Sequence, residues 1–198
     1  MTTLNAVTRQ LFERLRDETA DVEADFAVAP ATIDEAVAVI AAATGAEIPT
    51  AFLGGGTHSS YGRRGDVGLV VTTSRLNRIV EWQADDLTVR VEPGVRLEAL
   101  EERLAERNQT AVFPETAPGA TVGGVIAAGL SGYRRLRYGP TRDRVLQVQI
   151  ATGYGKVITG GSPVVKSSTG YGVPRLATGS LGSLGLIGQV MIKLWSRP

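Results

Sequence analysis

Cysteine is absent from this 198-residue chain, and histidine occurs once, at His58. The first absence excludes disulfides, thiolate nucleophiles, cysteine-ligated iron–sulfur clusters and cysteine zinc sites. The second removes poly-histidine metal centres and leaves no second imidazole for a proton relay, so no metal site is expected. Redox chemistry, if this chain takes part in it, must be carried by a bound cofactor. A charge surplus is also missing. Lys and Arg total 21 against 20 Asp and Glu, a formal net charge of +1, which gives no electrostatic case for nucleic acid or an anionic membrane and makes any basic function local. No apolar run approaches the roughly 20 residues needed to span a bilayer. The opening MTTLNAVTRQLFERLRDE is polar and acidic, unlike a signal or transit sequence, so a cytoplasmic address is expected. With 43% hydrophobic and 21% charged residues, the chain reads as one large globular domain or two small lobes with ample core.

Glycine is what the chain has in excess: 24 residues, gathered at 53–68, 119–132, 153–161 and 170–188. Such clustering points to repeated close backbone approach, to a ligand or between packed elements. In GGGTHSSYG, Gly54 to Gly62, three glycines follow the apolar run Thr50 to Leu53 and precede the hydroxyls of Thr57, Ser59 and Ser60. A glycine run leaves amides bare and lets them converge on an oxyanion. A flexible surface loop is the competing interpretation.

Apolar periodicity gives the rest of the outline. Leu4, Val7, Leu11 and Leu15 predict an amphipathic helix over about 4–20. Phe26 to Ala29 reads as a strand, and Thr32 with Glu35 as a capping box for a helix that Gly45 stops. Val28 to Leu53 is therefore strand, helix, strand, with the glycine loop at the carboxyl end of the second strand, where open α/β layers bind ligands. Strands follow at 68–72, 78–82 and 87–91, the last two as a hairpin around Asp85-Asp86, then a helix through Leu97, Leu100 and Leu104. This predicts a first lobe over about 22–110 and a second over about 111–198. In the second, PGATVGGVIAAGLSG makes a small-residue helix, suited to a ligand or to close helix packing; residues 145–152 and 156–159 form a hairpin, and a glycine-rich approach leads into a last strand through Val190, Ile192 and Leu194.

Taken together, three segments in this order and spacing resemble the FAD-binding domain of the vanillyl-alcohol oxidase and p-cresol methylhydroxylase (PCMH) type. GGGTHSSYG is similar to that family's pyrophosphate loop, PGATVGGVIAAGLSG to its TxGG turn and small-residue helix, and VVKSSTGYGVPRLATGSLGSLGLI, Val164 to Ile187, to its third signature. Within the family the likeness is greatest to the FAD-binding subunit of glycolate oxidase, and then to D-2-hydroxyacid dehydrogenases. It covers roughly 22–197 and leaves out only the first helix.

The resemblance implies an α+β fold of two α/β lobes with FAD between them. It implies that the amides of Gly54, Gly55, Gly56 and Thr57 hold the pyrophosphate, with His58, Ser59 and Ser60 near the ribityl chain or flavin edge. Thr121, Gly123 and Gly124 would press against the cofactor, Ala127, Ser131 and Gly132 would continue that wall, and Gly185 and Ile187 would approach the adenosine half. Thr57, rather than His58, matches the position where some members attach flavin, so non-covalent FAD is expected. Lys166 and Tyr171 look like third-signature residues, while Gly172 and Leu181 depart from the pattern. Arg134, Arg135 and Arg137 could steer an acidic substrate, bind a partner, or form an exposed basic turn. Members usually carry a cap domain beyond this point, which supplies substrate contacts and any catalytic base. The catalytic residues of this chain are therefore unassigned.

Two functions follow. One is the flavin module of an oxidoreductase acting on a 2-hydroxyacid or similar alcohol, a small-molecule substrate, with a cap or partner subunit completing the site or taking the electrons. The other is a non-catalytic FAD-binding or assembly subunit. An NAD-binding Rossmann loop fits less well, because the glycines follow the second strand rather than the first and lead into another loop.

Overall fold

In a computed structural model, residues 6–17, 24–61, 66–163 and 172–197 are described. The chain opens with α1 (Ala6–Arg14), β1 (Phe26–Val28), α2 (Ile33–Gly45), β2 (Thr50–Leu53) and β3 (Leu69–Thr72). β3 is the middle of a three-stranded parallel sheet ordered β1-β3-β2, which explains why all four of its residues are buried while β2, at an edge, is half-buried throughout. The three strands therefore point the same way, and the glycine loop leaves the sheet at the carboxyl end of β2, as expected.

α2 covers this sheet through Ala36, Val39, Ile40 and Ala43, the i, i+3, i+4, i+7 stripe of a helix packed on one face. Its start is a capping box with a shifted return arm. Thr32 Oγ1 accepts from the Glu35 amide at 3.1 Å, while the Glu35 carboxylate reaches the amide of Ala31 at 2.8 Å instead of that of Thr32. Among the described residues α1 ends at Arg14 rather than near 20, and its stripe is shifted. Phe12 and Leu15 are buried beside Thr8, while Val7 is 76% exposed.

β4 (Ile79–Gln83) and β5 (Thr88–Val91) form the expected hairpin, followed by α3 (Leu97–Ala105) and the short β6 (Gln109–Thr110). A carboxylate ties the hairpin's base. Glu92, 2% exposed, accepts from the Arg78 amide at 2.9 Å and from its guanidinium at 2.7 Å, which satisfies a charge that burial would otherwise penalise. Beyond it come α4 (Val122–Ala128), α5 (Arg135–Tyr138), a 3₁₀ turn at Thr141–Asp143, β7 (Val145–Ala151), β8 (Val157–Gly161), α6 (Val173–Ala177), β9 (Leu186–Lys193) and β10 (Trp195–Ser196).

The grouping of strands into sheets does not follow the expected lobe boundary near residue 110. β4 and β5 join β9, β7 and β8 in one five-stranded antiparallel sheet, β4-β5-β9-β7-β8, so the two sheets divide between β3 and β4. β5 pairs with β9 over Thr88–Val91 against Val190–Lys193, and β10 returns to pair with β6. The physical reason is core continuity: Val89 and Val91 bury with Leu97, Leu100 and Leu104 of α3 and with Val148, Val190 and Ile192 in one cluster. A second cluster joins Phe12, Val28, Val39, Ile40, Leu69 and Val71 to Ala151 and Leu186, bridging the sheets.

Candidate functional site

Three glycine-rich segments meet where the parallel sheet faces α4. A Cβ on Gly54 would collide with the Thr121 hydroxyl, and one on Gly55 with the carbonyl oxygen of Gly119. Across α4, the Gly179 amide donates to Ile126 O and the Leu181 amide to Ala127 O, each at 2.9 Å, and Gly129 lies against the Gly179 backbone. Gly182 completes the circuit, since a Cβ there would stand 3.1 Å from the ring of Phe52, two residues before the loop. Backbones approach this closely only without side chains between them, which accounts for small residues at all three places.

The loop itself leaves its donors open. Gly56 takes a positive φ of 71°, the left-handed backbone from which anion-holding turns are built. The amides of Gly54, Gly55, Gly56, Thr57 and His58 make no hydrogen bond to any described residue, whereas Ser59 and Tyr61 donate to Gly56 O and His58 O in two short turns. Ser59 and Ser60 are exposed. Thr57 Oγ1 lies 2.9 Å from His58 Nδ1, and the imidazole meets the Tyr61 ring edge-on at 5.1 Å.

α4 begins differently. Thr121 caps it by accepting from the Gly124 amide at 3.2 Å, the Val122 amide bonds Val95 O at 2.9 Å, and the Gly123 amide bonds Pro93 O at 2.8 Å. These donors are satisfied within the protein. The bare face of Gly123 is also filled from within, by Pro93, and that of Gly132 by Pro114. Gly124 differs: a Cβ there would meet only the Thr121 hydroxyl, at 3.1 Å. Ser131 Oγ accepts from the Thr141 amide at 3.2 Å and so braces the turn after α5. Ala127 is half-buried.

Gly185, at φ 133°, abuts the carbonyl of Ala151, which neither that φ nor that approach would allow a larger residue. Ile187 is buried opposite Ile150, and because β5 pairs with β9 only from Val190 onward, the other edge of Ile187 is outside that ladder. Lys166, Tyr171 and Gly62 lie outside the described residues.

Sequence reasoning missed two residues beside the loop. Gly119 is the contact point for Gly55, and its turn is held by Glu98, whose carboxylate accepts the Gly119 amide at 3.1 Å. Hydrogen bonds from its own amide and from that of Gly119 hold the Glu98 carboxyl below its ordinary range. The other missed residue is Arg96, whose Nη1 stands 2.6 Å from the place a Cβ on Gly119 would occupy. The Pro118-Gly119 dipeptide signals a turn; nothing in the sequence signals Arg96.

A separate cleft of about 710 Å³ is lined by Leu97, Val112, Phe113, Tyr138, Arg134 and Arg197, among others. Of the residues given a candidate functional role from the sequence, it contains only Arg134. Its cations are already engaged, Arg197 with Glu101 at 3.1 Å and Arg134 with Glu115 at 3.6 Å. The open amides make the glycine-lined junction the better ligand site.

Comparison with known proteins gives the family. The family described as "FAD binding domain" matches residues 24–161, and this chain belongs to that PCMH-type family. It is similar to D-2-hydroxyglutarate dehydrogenase of Xanthomonas citri pv. viticola, 34% identical over 173 residues, 85% of this chain and 36% of that protein. It is also similar to glycolate oxidase subunit GlcD of Bacillus subtilis, 30% identical over 178 residues, 88% of this chain and 37% of that one. Among solved structures, alkyldihydroxyacetonephosphate synthase superposes with a TM-score of 0.74 at 18% identity, covering 87% of this chain and 32% of that one, a likeness of fold. The chain thus spans a little over a third of the length of these curated relatives. Among the described residues no helix is long and apolar enough to cross a membrane.

Proposed function

We propose that this chain is the FAD-binding module of a flavin-dependent oxidoreductase that oxidises a 2-hydroxyacid. The observation carrying the cofactor assignment is the run of five amides, Gly54 to His58, that bond no described residue, at the carboxyl end of β2. They fit a pyrophosphate, because convergent N–H groups neutralise oxyanions without needing a lysine. FAD, when bound, supplies the acceptor for the substrate's hydride.

The chain's own residues bind and orient. Gly54 to Thr57 hold the phosphates, with His58, Ser59 and Ser60 beside the ribityl chain. Gly124, with the open face nearest that loop, admits the cofactor closest to α4, while Thr121, Gly123, Ala127, Ser131 and Gly132 fix the backbone that forms the wall. Gly185 and the free edge of Ile187 serve the adenosine half. Flavin is held without a covalent bond; the engagement of His58 with Thr57 and Tyr61 supports this reading.

The substrate class rests on the relatives, whose names specify D-2-hydroxyglutarate and glycolate. One is named as a subunit, which supports a partner polypeptide supplying cap or electron acceptor. The test is to load the purified protein with FAD and add D-2-hydroxyglutarate or glycolate anaerobically. Bleaching of the oxidised-flavin band by either acid supports the assignment. Bound flavin that neither acid bleaches, even with a candidate partner present, points to a non-catalytic FAD subunit.

A further inference from the structure

The amides of the glycine loop supply direction but no full positive charge, and a pyrophosphate brings two negative charges. Among the described residues, a cation close to the loop is Arg96. Its backbone is fixed, because Arg96 forms an antiparallel bridge with Thr121, the Leu97 amide donates to Ala120 O at 3.0 Å, and the Val122 amide returns to Val95 O. Thr121 and Gly119 are the residues against which Gly54 and Gly55 pack. Gly119 is the neighbour they share: the guanidinium lies where a Cβ on Gly119 would stand, and Gly55 packs against the Gly119 carbonyl oxygen.

Arg96 is also unspent. It stands at the N-cap position of α3 but makes no side-chain cap hydrogen bond, it is exposed, and no carboxylate among the described residues salt-bridges it. Glu98 feels its charge, yet the Glu98 carboxylate is committed to the Gly119 amide. By contrast Arg78, Arg90, Arg134, Arg175 and Arg197 each pair with an acidic side chain.

Resting on the FAD reading above, we infer that Arg96 is the charge partner of the phosphate groups held by Gly54 to His58. It completes an anion site whose neutral half is the glycine loop. A nucleoside diphosphate alone carries the recognised chemistry, so ADP engages the same site.

The test is titration of the flavin-free protein with FAD and with ADP, in wild type, Arg96→Gln and Arg96→Lys, over a range of NaCl concentrations. The Gln variant is expected to bind both ligands about tenfold more weakly, and the slope of log Kd against log salt falls by about one. The Lys variant, which keeps the charge and loses the fork, stays within about threefold of wild type. Thermal unfolding of all three flavin-free proteins coincides. Unchanged FAD affinity and salt slope in Arg96→Gln overturn the inference while leaving the FAD reading intact. So does a loss that Lys does not rescue and that comes with a lowered unfolding temperature, since Arg96 would then only brace the Gly119 turn. Failure of the wild type to bind FAD overturns both.

Discussion

The carbonyl oxygen of Gly119 fills the space that a side chain on Gly55 would need. The loop after β2 and the turn before α4 are therefore in backbone contact, and the two segments can only move together. Gly55→Ala forces one backbone away from the other. It is expected to lower stability by about 1–3 kcal/mol and to weaken FAD binding, both read from thermal unfolding with and without FAD. Gly45→Ala is the control: nothing lies within 4 Å of a Cβ there, and the position is helical, so stability is unchanged or raised by up to about 1 kcal/mol.

Thr121 joins the same contact from the other side, with its hydroxyl capping α4 and filling the space beside Gly54. Thr121→Val keeps the shape and removes the acceptor, leaving the Gly124 amide unpaired. Denaturant unfolding is expected to show a loss of about 1 kcal/mol, and Thr121→Ser to recover most of it.

Much of this arrangement was legible in the sequence, for reasons that differ by residue. The α2 stripe, the capping pair and the β2-to-loop handover are local patterns, in which neighbours determine the structure. The partner of the β4–β5 hairpin was not legible. Val89 and Val91 alternate as a strand should, but β9 lies about a hundred residues further on and alternation does not name a partner. The resemblance implies that Gly123 and Gly132 face the cofactor, whereas Pro93 and Pro114 lie against their bare faces. A glycine reports that something comes close and is silent on what. Arg96 carried no pattern at all, because its meaning comes from a turn more than twenty residues away.

Glu98 gives the site a pH dependence with a definite sign. Its folded-state carboxyl lies below the ordinary range because its own amide and the Gly119 amide donate to the charged form. A depressed carboxyl contributes stability that is present above the ordinary glutamate range and is lost as pH falls through the folded value. Unfolding temperature should therefore fall more steeply for wild type than for Glu98→Gln across that acidic window, and the two curves should converge below it. Parallel curves would show that the Gly119 turn does not depend on this carboxylate.

Glu101 organises the far side of α3. Its carboxylate accepts from the Thr110 hydroxyl at 3.1 Å, the Ala111 amide at 2.9 Å and the Arg197 guanidinium at 3.1 Å, and holds the stretch leading to Val112, a β-branched residue at φ 57°. Such a backbone persists only where its surroundings fix it. Glu101→Gln should destabilise the protein by about 1–3 kcal/mol in denaturant unfolding while leaving FAD affinity unchanged, because none of these partners belongs to the glycine junction.

If the five amides from Gly54 to His58 hold a pyrophosphate, this chain takes up FAD on its own. Equilibrium titration of the purified, flavin-free protein with FAD, followed by acid precipitation, tests it most directly. Saturable uptake of one flavin per chain, competition by ADP, and release of all the flavin into the supernatant on precipitation are expected. A protein that takes up no FAD under these conditions would contradict it.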